Sequence, residues 1–95
     1  MRRRPLGKTG LSVTELALGT WGLCGDGYGP VAESEQDKVI DRARALGIAL
    51  FETADSYAAG DMERRLGERL KADDAARIVT KIGTDLDAPV PRKRF

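Results

Sequence analysis

The stretch GIALFETADSY, Gly47 to Tyr57, decides how this chain is read. Ile48-Ala49-Leu50-Phe51 is a short apolar run that ends on an acid, Glu52. Such a run is the expected look of a buried parallel strand, covered on both faces. An aromatic hydroxyl, Tyr57, follows in the loop beyond it. Two questions spread outward from here: what flanks the strand, and whether the acid and the tyrosine act together.

Upstream, acids crowd the segment around Glu33 and Ser34, and Ser34 with Asp37 gives a loose capping signal. Val39, Ile40, Ala43 and Leu46 then recur at helical spacing, and Gly47 is placed to end the helix in a left-handed turn. Downstream, Met62, Leu66 and Leu70 mark a second amphipathic helix, with Arg64, Arg65, Glu68 and Arg69 mostly toward water. Ile78 to Gly83 is rich in β-branched residues and reads as a further strand. Glu15 to Trp21 reads as a strand before the first helix, joined to it by the glycine-rich LCGDGYGP, a mobile loop. Residues 1–14 form a hairpin turning at Gly7 to Gly10, residues 15–83 hold three strands with two helices, and residues 84–95 are an irregular tail.

The order is hairpin, β, α, β, α, β, with strand ends roughly thirty residues apart, the size of one βα unit. Repeating βα units give a parallel sheet with right-handed crossovers. An open doubly wound sheet and a closed (β/α)8 barrel both satisfy that pattern.

Two nucleotide-binding motifs fail on their context. GKT at Gly7 to Thr9 lacks the earlier P-loop glycine, whose place is taken by Arg2. Gly25, Gly27 and Gly29 alternate after a strand, but Pro30, Val31 and Ala32 intervene where the dinucleotide fingerprint needs a helix to begin.

The composition narrows the function classes. Sixteen basic and fifteen acidic residues nearly cancel, which argues against a general nucleic-acid or membrane-surface binder. The basic runs at the two ends read as solvated termini. No segment approaches the ~20 apolar residues of a membrane span, and no apolar run follows the basic N-terminus as a secretory signal would require. Cys24 is the single cysteine, so no internal disulfide forms and a reduced, cytoplasmic setting is expected. With no histidine, most zinc sites and every Ser-His or Cys-His nucleophile are excluded.

In parallel α/β folds, functional groups gather at the carboxyl ends of the strands. Gly19-Thr20-Trp21, Glu52 and Lys81 stand there. Alternation puts Leu50 and Glu52 on one face, and Val79 and Lys81 on one face of the next strand. If both faces point inward, a carboxylate and an ammonium meet in a largely apolar setting, each making the other tolerable. Tyr57 lies close enough to fold over the pair. A tyrosine hydroxyl, with an ordinary pKa of about 10, is a poor acid at neutral pH, and an adjacent ammonium favours its ionised form. The trio describes a proton donor suited to a carbonyl oxygen. Taken singly, the same residues fit a surface ion pair and a loop tyrosine.

RPLGKTGLSVTELALGTWG, GIALFETADSY, MERRLGERLK and RIVTKIG together resemble the N-terminal third of an aldo-keto reductase, in the expected order and spacing. The resemblance implies a (β/α)8 TIM barrel preceded by a hairpin that closes its bottom. It implies NAD(P)H-dependent reduction of an aldehyde or ketone, with NADP(H) placed before NAD(H). Residue by residue, Tyr57 matches the family's general acid and Lys81 the lysine that assists it. Gly19, Thr20 and Trp21 match the stretch beside the nicotinamide and the substrate, with Trp21 and Tyr57 on the substrate. Glu52 falls where the family has aspartate, while Asp55 lies three positions further on. The family's histidine, at the end of the next strand, has no counterpart here.

The chain is therefore expected to be part of a longer polypeptide, inactive alone, since a closed barrel takes about 250 residues. Its partner is a small carbonyl substrate, with no nucleic acid and no membrane. The alternative is a non-catalytic nucleotide-binding or regulatory remnant of the same fold, for which channel-associated subunits among the relatives give precedent.

Overall fold

A computed structural model describes residues 1–83; the irregular tail expected over residues 84–95 lies outside them. Two short sheets and two helices make up the described part. Strands β1 (Arg3–Pro5) and β2 (Ser12–Thr14) pair antiparallel as a hairpin, with Arg4 opposite Val13. Strands β3 (Leu18–Gly19), β4 (Leu50–Glu52) and β5 (Arg77–Val79) form a parallel sheet in the order β3-β4-β5. Helix α1 (Glu33–Ala45) crosses from β3 to β4, and α2 (Asp61–Leu70) from β4 to β5. The chain is thus α/β, built from βα units as its periodicity predicts.

The strands are shorter than their apolar runs. Gly19 pairs with Glu52, and Glu52 with Val79, so the three strand ends lie level. Beyond that level the strands end, and two single backbone bonds continue the ladder. Thr53 N donates to Val79 O at 2.8 Å, and Asp55 N to Lys81 O at 3.1 Å. Those two bonds hold the chain up to Lys81 beside the loop that carries Tyr57.

Alternation along β4 separates core from site. Phe51 is fully buried and joins Ile40, Ala43, Met62, Leu66, Leu70 and Cys24 in the core between the sheet and the helices. Its neighbours Leu50 and Glu52 are half-buried on the opposite face. Burying Phe51 contributes about 1.5–3 kcal/mol. The i, i+4, i+8 stripe of α2 is buried in full. On α1, Ile40 and Ala43 are buried while Val39 and Leu46 remain exposed. With Leu18 and Ile48 they line an apolar groove along the free side of β3.

Helix α1 begins at Glu33 with Ala32 as its N-cap and no side-chain cap. Ser34 falls inside the first turn, two positions past the cap and too late for its hydroxyl to serve there, so Glu33 and Glu35 answer the dipole instead. The C-terminus closes as the sequence predicts. Gly47 takes φ +93°, its N–H donates to Arg44 O, and Ile48 N donates to Ala43 O, a Schellman arrangement.

The basic residues of α2 do not simply face water. Arg65 pairs with Asp37 at 2.6 Å and with Glu33 at 3.0 Å, and Arg69 pairs with Asp41, which raises the Arg69 pKa further above its ordinary value. Arg44 of α1 pairs with Asp73 at 3.3 Å. The outer seam between the helices is therefore a ladder of charges.

Candidate functional site

The sheet sets its groups by register. Gly19 sits opposite Glu52, and an added Cβ there would stand 4.0 Å from Glu52 Oε1, so bare backbone faces one oxygen of the carboxylate. Thr20 is fully buried, and its hydroxyl donates to the Glu52 carbonyl at 2.9 Å. That bond ties the ends of β3 and β4 together and commits the Thr20 side chain to the sheet. Trp21 follows, 45% exposed, in a T-shaped contact with Tyr28 at a centroid separation of 5.3 Å.

The other oxygen of Glu52 meets Lys81. Lys81 Nζ donates to Glu52 Oε2 at 2.7 Å, to the Thr53 carbonyl at 3.0 Å and to the Tyr57 hydroxyl at 3.1 Å. Three acceptors match the three donors of an ammonium. The bond to Glu52, with that to Tyr57 behind it, raises the Lys81 pKa above its ordinary value near 10.5, so the lysine stays charged at neutral pH. The pair is open to water, with side-chain exposures of 45% and 37%, rather than enclosed in an apolar setting.

Tyr57 is half-buried against the core and begins a short 3-10 turn, Tyr57–Gly60. Within it Ala58 and Ala59 both take left-handed backbone, at φ 49° and φ 54°. Residues with a Cβ avoid that region, at a cost of about 1–2 kcal/mol each. The Ala58 N–H donates to Asp26 Oδ2 at 2.8 Å, reaching across from the loop after β3.

That loop, expected to be mobile, is held at several points. Cys24 N donates to Thr20 O and Cys24 Sγ to Trp21 O, both at 2.9 Å. Gly27 lies so close to Trp21 that a Cβ there would come within 2.9 Å of the indole ring.

The structure thus brings Lys81 into contact with both Glu52 and Tyr57, with Gly19 beside the carboxylate and the Thr20 hydroxyl on the Glu52 carbonyl. Trp21 stands next in the chain on the same rim. Sequence reasoning missed the Thr53 carbonyl, because a backbone acceptor carries no side-chain signal. It missed Asp26 because that contact links residues 32 apart through irregular backbone. Among the described residues, no group of three or more Cys, Asp and Glu side chains is arranged to hold a metal ion. No described helix is long and apolar enough to cross a membrane.

The chain is 40% identical over 82 residues to pyridoxal 4-dehydrogenase of Microbacterium luteolum, covering 85% of this chain and 24% of that protein. It is 42% identical over 82 residues to an uncharacterized oxidoreductase of Mycobacterium bovis, covering 83% of this chain and 25% of that one. It therefore spans about a quarter of the length of these curated relatives. Among solved structures it resembles a putative aldo-keto reductase of Pseudomonas aeruginosa, with TM-score 0.69 and 41% identity over 85% of this chain and 31% of that one. A thermostable aldo-keto reductase crystallised with the inhibitor epalrestat gives TM-score 0.68 at 30% identity, over 84% of this chain and 30% of that one. The family model described as aldo/keto reductase family matches residues 15–94, and this chain belongs to that family.

Proposed function

We propose that the protein carrying this chain is an NAD(P)H-dependent reductase of an aldehyde or ketone, with Tyr57 as the general acid. The observation that carries the reading is the Lys81 ammonium, bonded at once to Glu52 Oε2 and to the Tyr57 hydroxyl. Because the phenolic oxygen accepts from Lys81, its own proton is left to donate elsewhere. A carbonyl oxygen seated against Tyr57 takes that proton as negative charge develops on it, and the fixed ammonium behind the phenol stabilises the phenolate that remains. Glu52 and the Thr53 carbonyl keep the ammonium in place. In the oxidative direction the same groups take the proton back, which is compatible with a relative named as a dehydrogenase.

The strand ends fit a nicotinamide. Gly19 offers side-chain-free backbone beside the Glu52 carboxylate, and the exposed Trp21 follows two residues on. Gly19, the backbone of Thr20, Trp21 and Glu52 are the residues that would hold the ring, with Trp21 and Tyr57 toward the substrate. A bound reduced nicotinamide supplies the hydride, and NADP(H) is the form proposed. The fold that completes the site is a (β/α)8 barrel with the hairpin across its bottom. The 95-residue chain by itself neither holds the cofactor tightly nor turns over.

The non-catalytic alternative rests on glutamate standing where the resemblance has aspartate, and on the family's histidine having no counterpart in this sequence. The 2.7 Å contact supports catalysis instead, since the longer arm still reaches Lys81. NADPH oxidation by the full-length protein against a panel of aldehydes tests the reading. Tyr57→Phe abolishes turnover, and Glu52→Asp changes kcat while Lys81 stays paired. Shifting a carboxylate by ~1 Å alters rates on the order of a hundredfold in such sites. Undiminished reduction by Tyr57→Phe would show the proposed acid to be wrong.

A further inference from the structure

We propose that Asp26 is a positioning residue for Tyr57, acting through the backbone amide of Ala58. The inference deepens the reading of Tyr57 as the acid and rests on it.

The two residues after Tyr57 both hold left-handed backbone, Ala58 at φ 49°, ψ 40° and Ala59 at φ 54°, ψ 35°. Neither is glycine, and a Cβ in that region presses on its own backbone. Two in succession directly after a candidate catalytic side chain persist only where other contacts over-determine them. Within the turn, Tyr57 N donates to Ala54 O at 3.2 Å and Ala59 N to Ser56 O at 3.1 Å. The Ala58 amide, the first in left-handed backbone, has its partner outside the turn. That partner is Asp26 Oδ2, at 2.8 Å, and a carboxylate makes the bond charge-assisted.

Asp26 is itself held. Gly25 before it takes φ +96°, and Gly27 after it lies flat against Trp21 with no room for a Cβ. Cys24 is fixed by its N–H to Thr20 O, and Thr20 in turn by its hydroxyl to the Glu52 carbonyl. A continuous set of contacts therefore runs from the end of β4, through the loop after β3, to the peptide behind Tyr57. Releasing the Ala58 amide lets φ and ψ there return to a favoured region, and the Tyr57 ring turns away from Lys81 with them.

The test has two arms. In the full-length enzyme, Asp26→Ala lowers kcat on the order of tenfold to a hundredfold, as a small displacement of a reacting group does. The KM for NADPH stays within about twofold, because no strand-end group that would hold the ring has been altered. Asp26→Asn, whose amide oxygen still accepts from Ala58, restores kcat to within about threefold of wild type. A general loss of structure would not separate kcat from KM and would not be rescued by asparagine. In the second arm, hydrogen exchange on the wild-type protein finds the Ala58 amide protected; Asp26→Ala removes the protection and Asp26→Asn keeps it. Unchanged kcat in Asp26→Ala, or an Ala58 amide that exchanges equally in both, overturns the proposal. A wild-type protein with no carbonyl reduction removes the acid role of Tyr57, and the exchange arm then decides the Ala58 contact separately.

Discussion

Lys81 is the residue on which the site turns, and its environment makes a statement about pH. Its pKa is raised, first by the bond to Glu52 and then by that to Tyr57, above an ordinary value near 10.5. A cation whose folded pKa exceeds its unfolded one adds stability that is fully present below the unfolded value. That contribution is lost as pH rises through the folded value. The Lys81 contribution to stability is therefore flat from neutral pH to about 10 and declines above it. Chemical denaturation from pH 7 to 11.5 checks this against Lys81→Met. The gap between the two proteins narrows toward the alkaline end if the ammonium is what matters; a gap constant over the whole range would assign the effect to packing of the stem. Solvent screens a pair this exposed, so the gap at neutral pH is small.

Among the elements, the helices were the most legible part of the sequence. Met62, Leu66 and Leu70 recur at a spacing that only a helix places on one face, and all three are buried. Gly47 was equally plain, because ending α1 in left-handed backbone calls for glycine. Gly47→Ala consequently destabilises the protein by about 1–2 kcal/mol. Its new Cβ would also meet Met1 Cβ at 3.2 Å. A urea midpoint unchanged by Gly47→Ala would contradict this. The strands were legible in place but not in length, since an apolar run shows where a strand can lie and not where its neighbour turns away. Glu52 meeting Lys81 was expected from alternation on two adjacent strands, and the two do meet, although Lys81 lies two residues past the end of β5. The Ala58–Ala59 pair was illegible for a physical reason: alanine is among the residues that least signal left-handed backbone. The seam of α1 and α2 was misjudged too, because Arg65 and Arg69 look solvent-bound until the facing acids of α1 are seen.

For the whole molecule, β4 alone is paired on both sides among the described residues, while β3 and β5 are edges. Leu16, Leu46, Ile78 and Val79 are exposed near those edges, and the groove beside α1 is almost entirely apolar in lining. Open parallel edges with apolar side chains are templates for association. The 95-residue chain expressed by itself therefore elutes with an apparent mass that grows with concentration, as size exclusion with light scattering would show. A monomer with one cooperative melt would refute this. At the other end of the molecule, the buried Thr14 hydroxyl accepts from Ala49 N at 3.1 Å and donates to Leu16 O at 2.7 Å. That one hydroxyl joins the hairpin to the residue that leads into β4, 35 positions along the chain. Contacts of long sequence separation form late, after the chain entropy of closing the loop has been overcome. If the hairpin docks late, Thr14→Val speeds unfolding in stopped-flow measurements while leaving the folding rate nearly unchanged; a slowed folding rate would contradict this. On that expectation Thr14 acts as a latch, one that sets how long the native state lasts rather than how fast it forms.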